Sequence, residues 1–119
     1  MVTPDLPHEK RRYERCMLRT KATIILSSGQ EIEVPTIDIS RGGVGIIASV
    51  NPPMGAQFNF RVPLMLKPKG LVLVESHVIV MHSILAGSAG GFKVGLQFVA
   101  LNESLKSAID AFIQQSPLR

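Results

Sequence analysis

Residues Phe92–Ile113 read FKVGLQFVALNESLKSAIDAFI, and the spacing of their apolar residues changes halfway. Phe92, Val94, Leu96 and Phe98 alternate with Lys93, Gly95 and Gln97, the repeat of a strand with one face in a core. Leu105, Ile109, Phe112 and Ile113 then fall at i, i+4, i+7 and i+8, one face of a helix. Asn102 is positioned to cap that helix, and Glu103 favours its first turn electrostatically. A strand leading into a single amphipathic helix suggests a sheet or barrel with one open side covered.

Upstream, only the strand period recurs. Met17–Ser27 is β-branched and apolar and ends at the turn signal Ser28-Gly29. In Gln30–Ile39, Ile32 and Val34 alternate against Glu31 and Glu33, while Ile37 and Ile39, beyond Pro35, sit in the opposite phase. That switch predicts a bulge or a change of strand partner. Val44–Val50 follows a tight Ser40–Gly43 turn, and Phe58, Phe60 and Val62 alternate with Gln57, Asn59 and Arg61. Lys67–Gly70 reads as a hairpin loop before the long strand Leu71–His82. The expected fold is therefore all-β with one helix: a six-stranded antiparallel β-barrel, a C-terminal amphipathic α-helix and a flexible basic N-terminal arm. Residues 1–9 form the arm, 10–115 the barrel domain with its helix, and 116–119 a tail.

The chain has 119 residues, which fits one domain, and a domain of this size buries about two-thirds of its unfolded surface. Its net charge of +4 is unevenly placed. Lys10, Arg11, Arg12, Arg15, Arg19 and Lys21 stand against one acid, Glu14, so residues 10–21 are +5 and the remainder is −1. Such a distribution argues for a local anion site rather than a general polyanion coat. A lone Cys16 excludes an internal disulfide and reads as a structural thiol. The absence of an apolar leader and of long apolar runs leads to the expectation of a cytoplasmic protein without a membrane segment. With no Trp and one Tyr, the composition is poor for stacking successive bases.

Enzyme signatures find little support. His77 and His82, five apart on one strand, are expected on opposite faces and so not to share a metal. Gly43–Ala48 matches G-x-G-x-x-A, but its Val and Ile residues favour a strand where a dinucleotide fingerprint needs a helix. No catalytic residue, metal or cofactor is assigned.

Two short patterns remain. Arg11-Arg12-Tyr13-Glu14-Arg15 places R-x-x-x-R ahead of the first strand, and Asp38–Gly43 reads D-x-S-x-x-G. Each alone has an ordinary explanation: a solvated basic arm, and turn chemistry at a strand end. Together they suit a compact guanine-containing dianion. Arginine offers a planar fork for guanine O6/N7 or for phosphate. The Asp38 carboxylate can accept from the guanine N1–H and N2–H2 edge, Ser40 adds a hydroxyl, and Gly43 allows close approach to the backbone. Arg15 and Arg19 form a second R-x-x-x-R, disfavoured because Arg19 is expected within the first strand.

With these motifs, with Glu9–Arg15, with TIDISRGGVG at Thr36–Gly45 and with VGLQF at Val94–Phe98, the chain resembles the PilZ domain family of bacterial cyclic di-GMP receptors over about residues 9–115. The resemblance implies a six-stranded barrel with a C-terminal helix. It implies that Arg11 and Arg15 grip guanine and phosphate while Asp38, Ser40 and Gly43 hold a guanine edge. Lys10 and Arg12 join the candidate ligand-binding set, Lys10 as a residue that helps accommodate a second, stacked nucleotide. It further implies a non-catalytic adaptor that relays cyclic di-GMP to an effector protein: motor, pilus machinery, enzyme or transcription factor. The competing expectations are a small basic β-barrel that binds nucleic acid and a PilZ-like interaction module that works without nucleotide.

Overall fold

The computed structural model describes residues 15–87 and 90–116. The elements are β1 (Arg15–Met17), β2 (Lys21–Ile25), β3 (Glu31–Ser40), β4 (Gly43–Ala48), β5 (Gln57–Leu66), β6 (Gly70–Leu85), β7 (Phe92–Val99) and helix α1 (Glu103–Gln115). All strand pairs are antiparallel. The strand order is β1-β3-β2-β5-β6-β7-β4, and β4 pairs back onto β3, closing a six-stranded barrel with β1 as an additional strand. The barrel and its C-terminal helix are the expected ones, with one strand more, and the expected N-terminal arm lies outside the described residues.

That extra strand arises where one continuous run, Met17–Ser27, was expected. The chain leaves β1 at Leu18 and enters β2 at Lys21, and Leu18 turns its side chain into the core. The buried Thr36 hydroxyl holds this link by donating to the Leu18 carbonyl (2.7 Å) and accepting from the Thr20 amide (3.0 Å). Arg19 therefore lies in the link, exposed, and not within a strand as its sequence context predicted.

The phase switch in β3 is both a bulge and a change of partner. Glu31–Pro35 pairs with β2, and Asp38–Ser40 pairs with β1. The register with β4 shifts between Thr36 and Asp38, so that Thr36 and Ile39 are both buried and Asp38 turns outward. A second register shift, between Val80 and His82, interrupts β6.

The inward faces supply the core: Phe60, Val62 and Leu64 of β5, Val74, Val78 and Val80 of β6, and Val94, Leu96 and Phe98 of β7, with Ile39, Val44 and Ile46 opposite them. Fully burying one such side chain contributes about 1.5–3 kcal/mol, so this cluster dominates the favourable side of folding. Helix α1 covers the barrel with Ile109 and Ile113, flanked by Leu105 and Phe112. Its first turn is capped as expected, the Asn102 side chain accepting from the Leu105 amide at 2.8 Å. At its far end Gln115 donates to the Met65 carbonyl (2.7 Å) and accepts from the Lys67 amide (3.0 Å), fastening α1 to the β5–β6 hairpin.

Candidate functional site

The β3–β4 turn is organised by one side chain. Ser40 is buried, and its hydroxyl oxygen accepts from the amides of Gly42 and Gly43, each at 3.2 Å. This is the local turn chemistry that Ser, Gly and Gly favour. Gly43 has a second structural reason: a β-carbon there would run into the Leu96 carbonyl oxygen of β7. Only glycine lets β4 approach β7 this closely.

Asp38 lies two residues before Ser40 and is half-buried. Strand β1 runs alongside it, with Met17 opposite Asp38 and Arg15 opposite Ser40. From there the Arg15 guanidinium reaches the Asp38 carboxylate at 2.9 Å. With side chains 37% and 30% exposed, the pair contributes at most about 1 kcal/mol to stability. Its consequence is positional: it brings the end of the R-x-x-x-R motif onto the D-x-S-x-x-G strand end.

Beyond Asp38 one row across the outer face of the barrel carries two glycines. Gly45 of β4 pairs with Asp38, Gly95 of β7 pairs with Gly45, and His82 of β6 pairs with Gly95. A β-carbon on Gly45 would stand 2.6 Å from Asp38 Oδ1, and one on Gly95 would collide with the His82 ring, Nε2 first. The carboxylate thus leans over Gly45 from one side and the imidazole leans over Gly95 from the other. Gly45 and Gly95 form a backbone saddle that these two side chains overlie, with Gly95 buried.

Of the expected site residues, Arg15, Asp38, Ser40 and Gly43 come together at this end of β3. Lys10, Arg11 and Arg12 lie outside the described residues. His77 and His82 do not occupy opposite faces as expected: the register shift at Met81 puts both outward and exposed. His77 is an ordinary surface strand residue, its ring nitrogens 3.1 Å from Asn59 Oδ1 and 2.8 Å from Gln57 Oε1. Gly43–Ala48 forms strand β4, as the rejection of the dinucleotide fingerprint requires. Cys16 is buried. Among the described residues no group of three or more His, Cys, Asp or Glu could hold a metal ion, and no helix is long and apolar enough to cross a membrane.

Two features escaped the sequence reading. The saddle of Gly45, Gly95 and His82 is one, and its only sequence signal is a glycine in the middle of each alternating strand. The other is an ion pair at 3.3 Å between Arg41, in the Ser40–Gly43 turn, and Asp110 on α1. It depends on a tertiary contact that no local pattern encodes.

A β-barrel whose outer face joins Arg15 to a D-x-S-x-x-G turn belongs to a recognisable class. The chain matches the PilZ domain over residues 9–115 and belongs to that family, whose domains are non-catalytic adaptors that bind cyclic di-GMP. A search of the curated proteins found no match. Among solved structures, the fold is similar to Bacillus subtilis MotI/DgrA, an inhibitor of motility, with TM-score 0.77 and 17% identity over 88% of this chain and 50% of that one. It is also similar to the PilZ domain of Escherichia coli YcgR with cyclic di-GMP (TM-score 0.61, 15% identity, 88% of this chain and 89% of that one). A third is the K. pneumonia MrkH–cyclic di-GMP complex (TM-score 0.63, 18% identity, 87% and 51%). At these identities the likeness is one of fold, and the chain spans about half the length of MotI/DgrA and MrkH.

Proposed function

We propose that this protein is a receptor for cyclic di-GMP that relays the nucleotide to a protein partner in the cytoplasm. The observation that carries the reading is the 2.9 Å contact between Arg15 and Asp38. It brings the second arginine of R-x-x-x-R against the aspartate of D-x-S-x-x-G, although 23 residues separate the two in the chain. Arg11 and Arg15 grip one guanine and the phosphates, with Arg12 and Lys10 adding local positive charge and Lys10 accommodating a second, stacked nucleotide. Asp38 accepts from the donor edge of the other guanine. Ser40 and Gly43 act by holding the turn, since the Ser40 hydroxyl is already engaged by two backbone amides. That the YcgR and MrkH structures contain cyclic di-GMP supports the choice of ligand. The Arg41–Asp110 pair offers a route by which a change at the turn reaches α1 and hence a partner.

Isothermal titration calorimetry of the purified protein with cyclic di-GMP tests the reading, with cyclic di-AMP as control. Saturable binding of the guanine ligand is expected. Arg11→Ala, Arg15→Ala and Asp38→Ala each remove a charge-assisted hydrogen bond worth about 1.5–3 kcal/mol, so each is expected to weaken binding about ten- to hundredfold. No heat with a folded sample rejects the receptor, and equal affinity for the two dinucleotides rejects the role of Asp38. An Arg19→Ala variant separates the two R-x-x-x-R registers and is expected to bind normally.

A further inference from the structure

Strand β6 is not covered equally along its length. It pairs with β5 over Gly70–Ile79 and with β7 over His77–Leu85. From Gly70 to Ser76 its side away from β5 therefore meets no strand among the described residues. The Val80 amide donates to the Ala56 carbonyl on the β5 side, and the register from there to Gly70 is unbroken. Alternation then turns the backbone N–H and C=O groups of Leu71, Leu73 and Glu75 toward the open side. The side chains beside this edge are apolar. Leu71 pairs with Met65 and Leu73 with Pro63, and Met65, Leu71 and Leu73 are each more than half exposed. Sheet edges are ordinarily blunted by charge, proline or a covering element, because a bare one is a template for another strand. The outer edge of β5 is covered in this way: the Gln115 side chain takes up the Met65 carbonyl and the Lys67 amide. Over Leu71–Leu73 the edge of β6 has no such cover among the described residues.

We propose that this edge pairs with the same edge of a second copy of the chain, forming a two-fold symmetric antiparallel dimer. Few registers are open to two copies. The backbone groups on offer belong to Leu71, Leu73 and Glu75, so these residues must face one another. With the two-fold axis at Val72, Leu71 of each copy lies opposite Leu73 of the other, and each such pair shares two backbone hydrogen bonds. Lys69, just before the strand, is then brought beside Glu75 of the other copy, an opposite-charge pair on either side of the axis. Moving the axis to Leu73 would set Leu71 against Glu75 and carry the hairpin turn of each copy toward His77, where β7 already places Val99. Moving it to Leu71 would leave one leucine pair and set Leu73 against Lys69. The Val72 register matches apolar to apolar and charge to opposite charge. In it, Pro63, Met65, Leu71 and Leu73 of the two copies form one apolar surface across the joint. A pairing this short buries less than a standard interface, so the dimer is a weak one that forms as concentration rises.

The test is sedimentation velocity of the purified protein from micromolar to millimolar concentration. A reversible monomer–dimer equilibrium is expected for the wild-type protein. Leu73→Lys changes an exposed position, puts a charge into both leucine pairs and is expected to weaken the dimer at least about tenfold. Val72→Cys reports the register. On the axis it faces its own copy in a non-hydrogen-bonded pair, with Cα atoms about 4.5 Å apart, a separation that a disulfide can bridge. Mild oxidation is expected to cross-link Val72→Cys into dimers, and the double variant Val72→Cys/Leu73→Lys far less. Cys16 is buried, so the wild-type protein gives the background. Circular dichroism and thermal melting establish that each variant is folded. A wild-type protein that stays monomeric at millimolar concentration overturns the dimer and leaves the edge to a strand of another protein. A dimer that persists undiminished in Leu73→Lys lies elsewhere and overturns it too, and failure of Val72→Cys to cross-link overturns the register. None of these residues belongs to the candidate nucleotide site, so the dimer and the receptor stand or fall separately.

Discussion

The two sides of the barrel are built by opposite means. On one side, β5 and β6 pair without interruption from Gln57 opposite Ile79 to Leu66 opposite Gly70. Phe60, Val62, Leu64, Val74 and Val78 are completely buried beneath them. On their outer face Arg61 bridges Glu31 (3.1 Å) and Glu75 (3.3 Å). On the other side, β3, β4, β7 and the end of β6 carry two register shifts and three glycines whose side-chain space is already occupied by neighbours. Regular alternation there would have buried Asp38 and His82. Both sides line the core, but the irregular side gives up regular pairing and turns polar groups outward over Gly45 and Gly95.

The sharpest way to break this contrast is to damage the regular side. Phe60→Ala removes the largest fully buried side chain and is expected to cost about 3–5 kcal/mol, transfer and cavity contributions together. Urea denaturation reads this directly. A loss below about 1 kcal/mol would mean that the barrel does not depend on this face. The second test sits on the irregular side. Gly43→Ala forces a methyl group against the Leu96 carbonyl, which is backbone and cannot rotate away, so a loss of about 1–3 kcal/mol is expected. It should disturb ligand binding as well, because the same turn orders Ser40. A stable Gly43→Ala variant with normal affinity would show that the close β4–β7 approach is not needed for the site.

The same contrast explains what was legible in the sequence. Alternation marks a strand wherever it is regular, so Phe58–Val62, Leu71–Val80 and Phe92–Phe98 are readable directly, as is the capped helix behind Asn102. Irregularity was visible where an imino acid flagged it: the phase switch after Pro35 foretold the β3 bulge. It was invisible where nothing flagged it. No residue near Met81 signals the second shift, and strict alternation therefore assigned His77 and His82 to opposite faces. The Leu18–Thr20 link was hidden for a related reason, because its cause is the Thr36 hydroxyl, 16 residues away from Thr20. Arg15 and Asp38 were legible as members of short patterns. Their contact follows from β1 pairing with β3, which no local spacing specifies.

The smallest expected effect concerns the ion pair that clasps the irregular side to the helix. Arg41 and Asp110 are each 45% exposed, so Asp110→Asn is expected to change stability by less than about 1 kcal/mol. It should leave cyclic di-GMP affinity within about twofold, because neither residue is in the candidate ligand-binding set. The expected change is in transmission. If ligand at the turn is communicated to α1 through this pair, cyclic di-GMP will alter amide hydrogen exchange across Glu103–Gln115 in the wild-type protein, and much less in Asp110→Asn. An unchanged response in the variant would leave the core contacts of Ile109 and Ile113 as the route. The helix would then be coupled to the regular side of the barrel and not to the nucleotide turn.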